Sequence, residues 1–220
     1  LFCYTHLVNE MAMIHSEIPN IFSFFTDEAV PSDVLRPAER ACTEGFGATR
    51  LATFSAGRYC ARQALSGMGL PDLAIPTGAD RAPVWPAGVA GSISHSAGLA
   101  GALVCATTHH PSIGMDIEKR RAVDDSLWDI LFDRQEQERI SAAASPVDMA
   151  TLYFSLKESY YKMQHPLTSR FLDFLDVRVE EGPAGLIINR LKALPEATPG
   201  HRTGHLLTTD FVVTWVLAEP

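Results

Sequence analysis

The sequence predicts an α+β chain and, if an internal echo marks a duplication, two similar halves, each with a long helix against strands. Three observations lead there. Helical spacing runs from about Pro37 to Met68 and again from Pro146 to Gln164. Short apolar runs flank both stretches and read as strands. The two helices also echo each other. Phe54-Ser55-Ala-Gly-Arg58-Tyr-Cys-Ala-Arg62 is laid out like Phe154-Ser155-Leu-Lys157-Glu158-Ser-Tyr-Tyr-Lys162, with Phe-Ser followed at the same offsets by a charged and then a basic residue. On one sequence that match stays open between chance and duplication.

In chain order, Leu1–Ile21 is mixed, strand or loop, and Ile21–Phe25 reads as a strand. Asp27–Arg36, with Pro31 ahead of Pro37, is loop. The first helix has a weak point at Gly45-Phe-Gly47; Gly67 and Gly69 end it, and Pro71 prevents its return. Leu73–Ala90 is loop with short extended pieces, and Gly91–His95 and Gly98–Thr107, parted by Ser96-Ala97, read as a hairpin or a strand with a tight turn. Ser112–Glu118 is a short strand, followed by helices over Leu127–Phe132 and Arg134–Ala143. Ser145 is placed to cap the second long helix, Pro146 to open it and Pro166 to stop it. Its Leu152, Leu156 and Tyr160, or Ser159 and Met163, fall at core-facing spacing. Phe171–Glu180, Gly185–Leu191 and Phe211–Leu217 are strands, the last two expected to pair.

Composition bounds the function. The 220 residues allow one large domain or two small ones, and 46% hydrophobic content supplies an ordinary core. A net charge of −8 argues against a general nucleic-acid binder, though not against a local basic pocket. Cys3, Cys42, Cys60 and Cys105 include no C-x-x-C pair, so neither a zinc knuckle nor a disulfide framework is indicated and reduced thiols in the cytoplasm are expected. No apolar run reaches the roughly 18 residues of a membrane span. Leu1–Ile14 is unlike a signal peptide, having no basic start and being interrupted by His6, Asn9 and Glu10.

Four groups of residues can carry chemistry. Asp116 and Glu118 are two apart, so on a strand they share a face. They either face water at a sheet edge or repel each other around a compensating cation, for which a hard divalent ion such as Mg²⁺ is the usual choice. Glu158 and Lys162 are four apart on a helix, as an exposed ion pair or as part of the same site. Arg50, Arg58 and Arg62 lie on or near one helical stripe, either solvated or neutralising phosphates. Gly91-Ser-Ile-Ser94-His95, with Gly98 and Gly101, lets backbone come close to a ligand and offer N–H groups to phosphate, while His95 alone is equally a hydrogen-bonded core residue. His109 and His110 read as turn residues, and Lys119-Arg-Arg121 as a solvated run.

Together these pieces resemble the 4'-phosphopantetheinyl transferases, specifically the larger, monomeric, two-half group that includes the enterobactin-synthase type. Ile113-Gly-Met-Asp116-Ile-Glu118 is similar to that family's (I/V)-G-(I/V)-D-x-E. Phe154-Ser-Leu-Lys157-Glu158-Ser-Tyr-Tyr-Lys162 is similar to its (W/F)-(S/C/T)-x-K-E-(A/S)-x-x-K. Phe54–Arg62, Asp80-Arg-Ala-Pro-Val-Trp-Pro86 and Gly91–His95 match further motifs, so the resemblance covers about Arg50 to Val177. Met115 stands where the family prefers Ile or Val, and Thr53 where it usually has Glu.

The resemblance implies two α/β halves, residues 1–110 and 111–220, related by a pseudo-twofold with coenzyme A between them. It implies transfer of the phosphopantetheine arm from coenzyme A to a carrier-protein serine, releasing 3',5'-ADP. Asp116, Glu118 and Glu158 would hold Mg²⁺, Glu158 would be the general base, and Lys162, helped by Lys157, would stabilise phosphate charge. Arg50, Arg58 and His95 would grip the 3'-phosphate, and Arg81 and Ser94 would line the nucleotide, with Arg62 either there or structural. The partner would be a peptidyl, aryl or acyl carrier domain, with a lean to siderophore peptide synthesis. Phe171, Leu172 and Phe174 either touch that carrier or pack the core. Two other functions fit some of the same residues: a metal-dependent nucleotide phosphohydrolase, or a non-catalytic module for coenzyme A or a carrier.

Overall fold

The structure, a computed structural model, describes residues 18–120, 123–183, 185–192 and 199–220. Cys3, the first 17 residues of the mixed opening segment and Arg121 lie outside the described residues. The chain divides into two compact units, one ending at Pro111 and the other beginning at Ser112.

The first unit contains β1 (Phe22–Thr26), α1 (Pro37–Arg40), α2 (Ala48–Gly67), β2 (Val89–Ser96) and β3 (Leu99–Ala106). The single helix expected from Pro37 is therefore two. A 3₁₀ turn over Ala41–Thr43 and Gly45, at φ +77°, break it, because a left-handed residue cannot lie inside a right-handed helix. The three strands are antiparallel in the order β1-β3-β2. Ala97 and Gly98 both have positive φ and join β2 to β3 as a two-residue turn, a geometry that matches the twist of a hairpin. Helix α2 covers the sheet, with Cys60, Ala61 and Leu65 packed among Ala100, Ala102 and Val104.

The second unit contains β4 (Ile113–Lys119), α3 (Trp128–Leu131), α4 (Arg134–Ala142), α5 (Pro146–Thr168), β5 (Val177–Gly182), β6 (Gly185–Arg190), β7 (His201–Leu207) and β8 (Phe211–Ala218). One sheet has the order β4-β8-β7, and β5 and β6 form a separate pair. Several expectations are corrected here. Gly185–Arg190 pairs with β5 rather than with Phe211–Ala218, whose neighbours are β4 and β7. The polar β7 had no apolar run to reveal it. The first part of Phe171–Glu180 is not strand, and a 3₁₀ turn over Phe174–Asp176 precedes β5. Helix α5 continues past Pro166 to Thr168, because so near its end the proline removes little, and it stops where Ser169 turns left-handed. Ser145 sits at the cap position, but its hydroxyl donates to Asp148 at 2.8 Å instead of accepting a backbone N–H. Arg120 is half-buried and partnered rather than part of a solvated run: it pairs with Asp148 and donates to the Thr208 carbonyl at 3.0 Å.

Each unit has the same plan: a first strand, a long helix, then a hairpin whose last strand takes the middle of the sheet. The second unit inserts β5 and β6 before that hairpin. Both are also locked by the same device, a fully buried glutamate. Glu39 accepts the Arg36 N–H at 2.8 Å and the Ile75 N–H at 3.0 Å, and pairs with Arg62 of α2 at 2.6 Å. Glu136 accepts the Asp133 N–H at 3.0 Å and the Val179 N–H at 2.8 Å, and pairs with Lys157 of α5 at 2.7 Å. Another donor of each cation goes to a carbonyl five residues before its glutamate, that of Val34 or Leu131. A buried charge needs this degree of satisfaction. By its partners, Arg62 corresponds to Lys157, whereas the sequence echo lines it up with Lys162.

Candidate functional site

The carboxylates of the second unit meet because β4 and α5 touch almost backbone to backbone. A Cβ on Gly114 would lie 2.6 Å from the Met163 nitrogen and closer still to the Ser159 carbonyl, so only glycine fits there. Two residues along β4, Asp116 is 4% exposed and faces the helix. One of its oxygens accepts from the Lys162 ammonium at 2.7 Å, and the other from the Ser155 hydroxyl at 2.9 Å. Lys162 also donates to the Met115 carbonyl at 3.1 Å. Asp116 is therefore not a water-facing edge residue.

Glu158, half-buried one turn before Lys162, completes the group. Burial pushes its carboxyl above the ordinary range; Lys162 pulls it back, and the negative charge of Asp116 raises it further. Glu118 shares the strand face of Asp116 and is half-buried. It opens onto a cavity of about 340 Å³ whose walls include Val123, Leu127, Leu131, Thr151 and Phe154. A second cavity, about 150 Å³, is lined by Glu158, Tyr161, Phe171, Leu172 and Phe174. Phe154 and Phe174 stack at 5.5 Å. Leu172 belongs to the core, while Phe171 is 72% exposed.

Lys157 is held elsewhere. It is 2% exposed, and its ammonium donates to Glu136, the Leu131 carbonyl and the Phe174 carbonyl. All three protons are used, so the expected help on phosphates is corrected to a structural role. Burial lowers its pKa, against the pull of Glu136.

Oxygen donors, two carboxylates that raise each other's cost and partial burial all suit a hard divalent cation. Among the described residues, however, no three His, Cys, Asp or Glu side chains converge closely enough to hold a metal ion. The expected set of Asp116, Glu118 and Glu158 is therefore not a preformed cage. Mg²⁺ fits nonetheless, because it ordinarily takes one or two carboxylates and completes its shell with water and phosphates.

In the first unit, Arg50 and Arg58 do not form a solvated stripe with Arg62. Arg50 lies over the Phe46 ring at 3.9 Å, Phe46 meets Phe54 edge-on at 5.6 Å, and Arg58 lies over Phe54 at 4.2 Å. Arg58 donates to the Ile75 carbonyl at 2.6 Å and the Thr77 hydroxyl at 3.0 Å. Its pKa is lowered to about 10 by burial, partly offset by Glu39. Arg62 is structural, spent on Glu39 and the Val34 carbonyl. Arg81 is exposed in a left-handed turn. Ser94 is buried and His95, the next residue on β2, exposed, as strand alternation requires. The sequence reading missed Thr214, which lies opposite Asp116 on β8; a lone Thr in the apolar run Phe211–Ala218 was the available signal.

Comparison with known proteins agrees with the earlier resemblance. Residues 38–105 match the 4'-phosphopantetheinyl transferase N-terminal domain, and residues 112–216 the 4'-phosphopantetheinyl transferase superfamily. The chain is 33% identical to the 4'-phosphopantetheinyl transferase Svp of Streptomyces mobaraensis over 86% of this chain and 76% of that one. It is 34% identical to the 4'-phosphopantetheinyl transferase Npt of Nocardia iowensis over 70% and 72%. It is 37% identical to enterobactin synthase component D of Escherichia coli (strain K12) over 64% and 68%.

Proposed function

The chain belongs to the 4'-phosphopantetheinyl transferase superfamily, and we propose that it transfers the 4'-phosphopantetheine arm of coenzyme A to a carrier-protein serine, releasing 3',5'-ADP. The observation that carries this reading is the Asp116–Lys162 pair at 2.7 Å with Glu158, a carboxyl of raised proton affinity, beside it.

In this reading Glu158 takes the proton of the incoming serine hydroxyl. A carboxylate whose proton affinity is raised by burial is a better base than an exposed one. Lys162 stabilises charge on the phosphates. The leaving group is already a phosphate anion, so positioning and charge neutralisation carry most of the rate. Asp116 and Glu158, with Glu118 at the edge of the group, would hold Mg²⁺, which when bound supplies positive charge to the pyrophosphate. Arg50, Arg58 and His95 grip the 3'-phosphate, and Arg81 lines the nucleotide. Ser94, buried on β2, stays with Arg81 in the proposed nucleotide-lining set. Phe171, exposed beside the Glu158 cavity, is assigned to the carrier. The likeness to enterobactin synthase component D favours a siderophore peptide-synthetase carrier. A cytoplasmic monomer belongs to the same reading.

The test is mass spectrometry of candidate carriers after incubation with coenzyme A and Mg²⁺. The expected result is a gain of one phosphopantetheine arm on the carrier serine. Cleavage of coenzyme A without any carrier would instead identify a phosphohydrolase. Single-turnover transfer by Glu158→Gln should fall by on the order of 10²–10⁴-fold with coenzyme A binding retained. Recovery of that variant at high Mg²⁺ would reduce Glu158 to a metal ligand.

A further inference from the structure

Three hydroxyls buried beneath Asp116 form a chain that the reaction as read above does not use. Ser155, Ser159 and Thr214 have no exposed surface. Ser155 Oγ lies 2.9 Å from Asp116 Oδ2 and 2.9 Å from Thr214 Oγ1. Thr214 Oγ1 lies 2.7 Å from Ser159 Oγ, which is also 3.1 Å from the Thr214 carbonyl. Each hydroxyl has one proton to give, and an ionised Asp116 can only accept. Ser155 must then donate to Asp116 and Thr214 to Ser155, while the single Ser159 proton lies between the Thr214 hydroxyl oxygen and the Thr214 carbonyl. The directions of the two bonds nearest Asp116 follow from its charge.

The second copy of the Phe-Ser motif provides an internal comparison. Ser55, the counterpart of Ser155 in the sequence echo, returns its hydroxyl to the Leu51 carbonyl one turn back, at 2.8 Å. That is the usual behaviour of a helical serine. Thr151 of α5 does the same with Val147, at 2.9 Å. Ser155 instead points across to β4, and Thr214 stands directly opposite Asp116 in the strand register. A buried polar network is costly unless fully satisfied, and one that is satisfied fixes geometry.

We propose that Ser155 and Thr214 are positioning residues that hold the Asp116 carboxylate in its metal-binding orientation, and so set the Mg²⁺ affinity of the site. This rests on the reading of Asp116 given above. The hydroxyl chain holds Oδ2 and the Lys162 ammonium holds Oδ1, so both ends of the carboxylate are fixed in orientation. Partners that orient a metal ligand typically contribute about 10–100-fold in metal affinity.

The test is calorimetric titration of Mg²⁺ into the complex of the whole protein with coenzyme A, without carrier. Thr214→Val keeps the side-chain shape and removes the hydroxyl; Thr214→Ser keeps the hydroxyl and loses a methyl. Thr214→Val should weaken Mg²⁺ binding about 10-fold, while Thr214→Ser stays near wild type. Transfer by Thr214→Val should recover at saturating Mg²⁺, since the ion's occupancy is what has changed. Ser155→Ala removes the last link without touching the strand and gives the same reading if Thr214→Val does not fold. Equal weakening by Thr214→Val and Thr214→Ser would overturn the proposal, because shape and not the hydroxyl would then matter. So would unchanged Mg²⁺ binding in both Thr214→Val and Ser155→Ala. Asp116→Asn separates the two levels. If it too leaves Mg²⁺ binding unchanged, the reading of Asp116 itself falls; if it weakens binding and the hydroxyl variants do not, only the positioning role falls.

Discussion

Gly114 of β4 and Ser159 of α5 approach so closely that any side chain on Gly114 would collide with the Ser159 carbonyl oxygen. This contact sets the distance between the strand that carries Asp116 and the helix that carries Glu158 and Lys162. Backbone on both sides leaves nothing to yield by changing rotamer. Gly114→Ala should therefore cost at least the roughly 1–3 kcal/mol of an overpacked core and should also lower transfer, since the helix must move. Urea unfolding together with a single-turnover assay would check this; a stable and fully active Gly114→Ala would show that the contact is slack.

Lys157 and Lys162 lie five residues apart on one helix and should behave in opposite ways. Lys157→Met leaves Glu136 buried without its cation and should cost about 3–5 kcal/mol of stability, with coenzyme A binding unchanged in the folded fraction. Lys162 is 27% exposed but its partner Asp116 is buried, so Lys162→Met should cost less stability than Lys157→Met and should weaken coenzyme A binding. Denaturation midpoints and calorimetry on both variants decide between these assignments.

Glu158 carries a stability cost in its ionised form. Its folded pKa is raised, chiefly by burial, so between the ordinary value of 4.5 and the raised one the folded chain holds more protons than the unfolded chain. Stability then falls as pH rises through that window and stays lower above it. Measured with chelator present, Glu158→Gln should be more stable than wild type at pH 7, and the difference should vanish on acidification below about 4.5.

His201 works in the opposite direction. Burial lowers its pKa, with the positive charge of Arg190 adding to the effect, while a hydrogen bond to the Ile188 backbone opposes it. Its ring lies edge-on to Tyr160 at 5.0 Å. The unfolded histidine takes up a proton near its ordinary 6.5, before the folded one does. Its contribution is therefore fully present above 6.5 and is lost as pH falls toward the lowered value. His201→Phe keeps the ring packing and should lose less stability than wild type between about pH 7.5 and 5.5, by urea midpoints at the two values.

Much of this could be read from local pattern. Asp116 and Glu118 on one strand face, the helix of Glu158 and Lys162, the break at Gly45-Phe-Gly47 and the hairpin after Gly91 each depend on residues within one turn or one strand. What could not be read depends on distant partners. Lys157 looks like a member of a charged motif until Glu136, 21 residues away, is seen to use it. Arg62 is claimed by Glu39 across 23 residues. Thr214 is 59 residues from the Ser155 it meets. The polar β7 displaced Gly185–Arg190 from the place beside β8 because strand pairing follows register and chain path, and apolar content alone does not specify either.

The two buried glutamates bear on how the protein is made. Glu39 meets Arg62 and Ile75, 23 and 36 residues further along the chain. Glu136 meets Lys157 and Val179, 21 and 43 residues further along. Neither clamp draws on the other unit. A chain emerging from the ribosome can therefore neutralise its first buried acid before the second has been translated. Domains completed in this vectorial order generally fold as units, so the growing chain need not hold an unmatched internal charge while waiting for its far end.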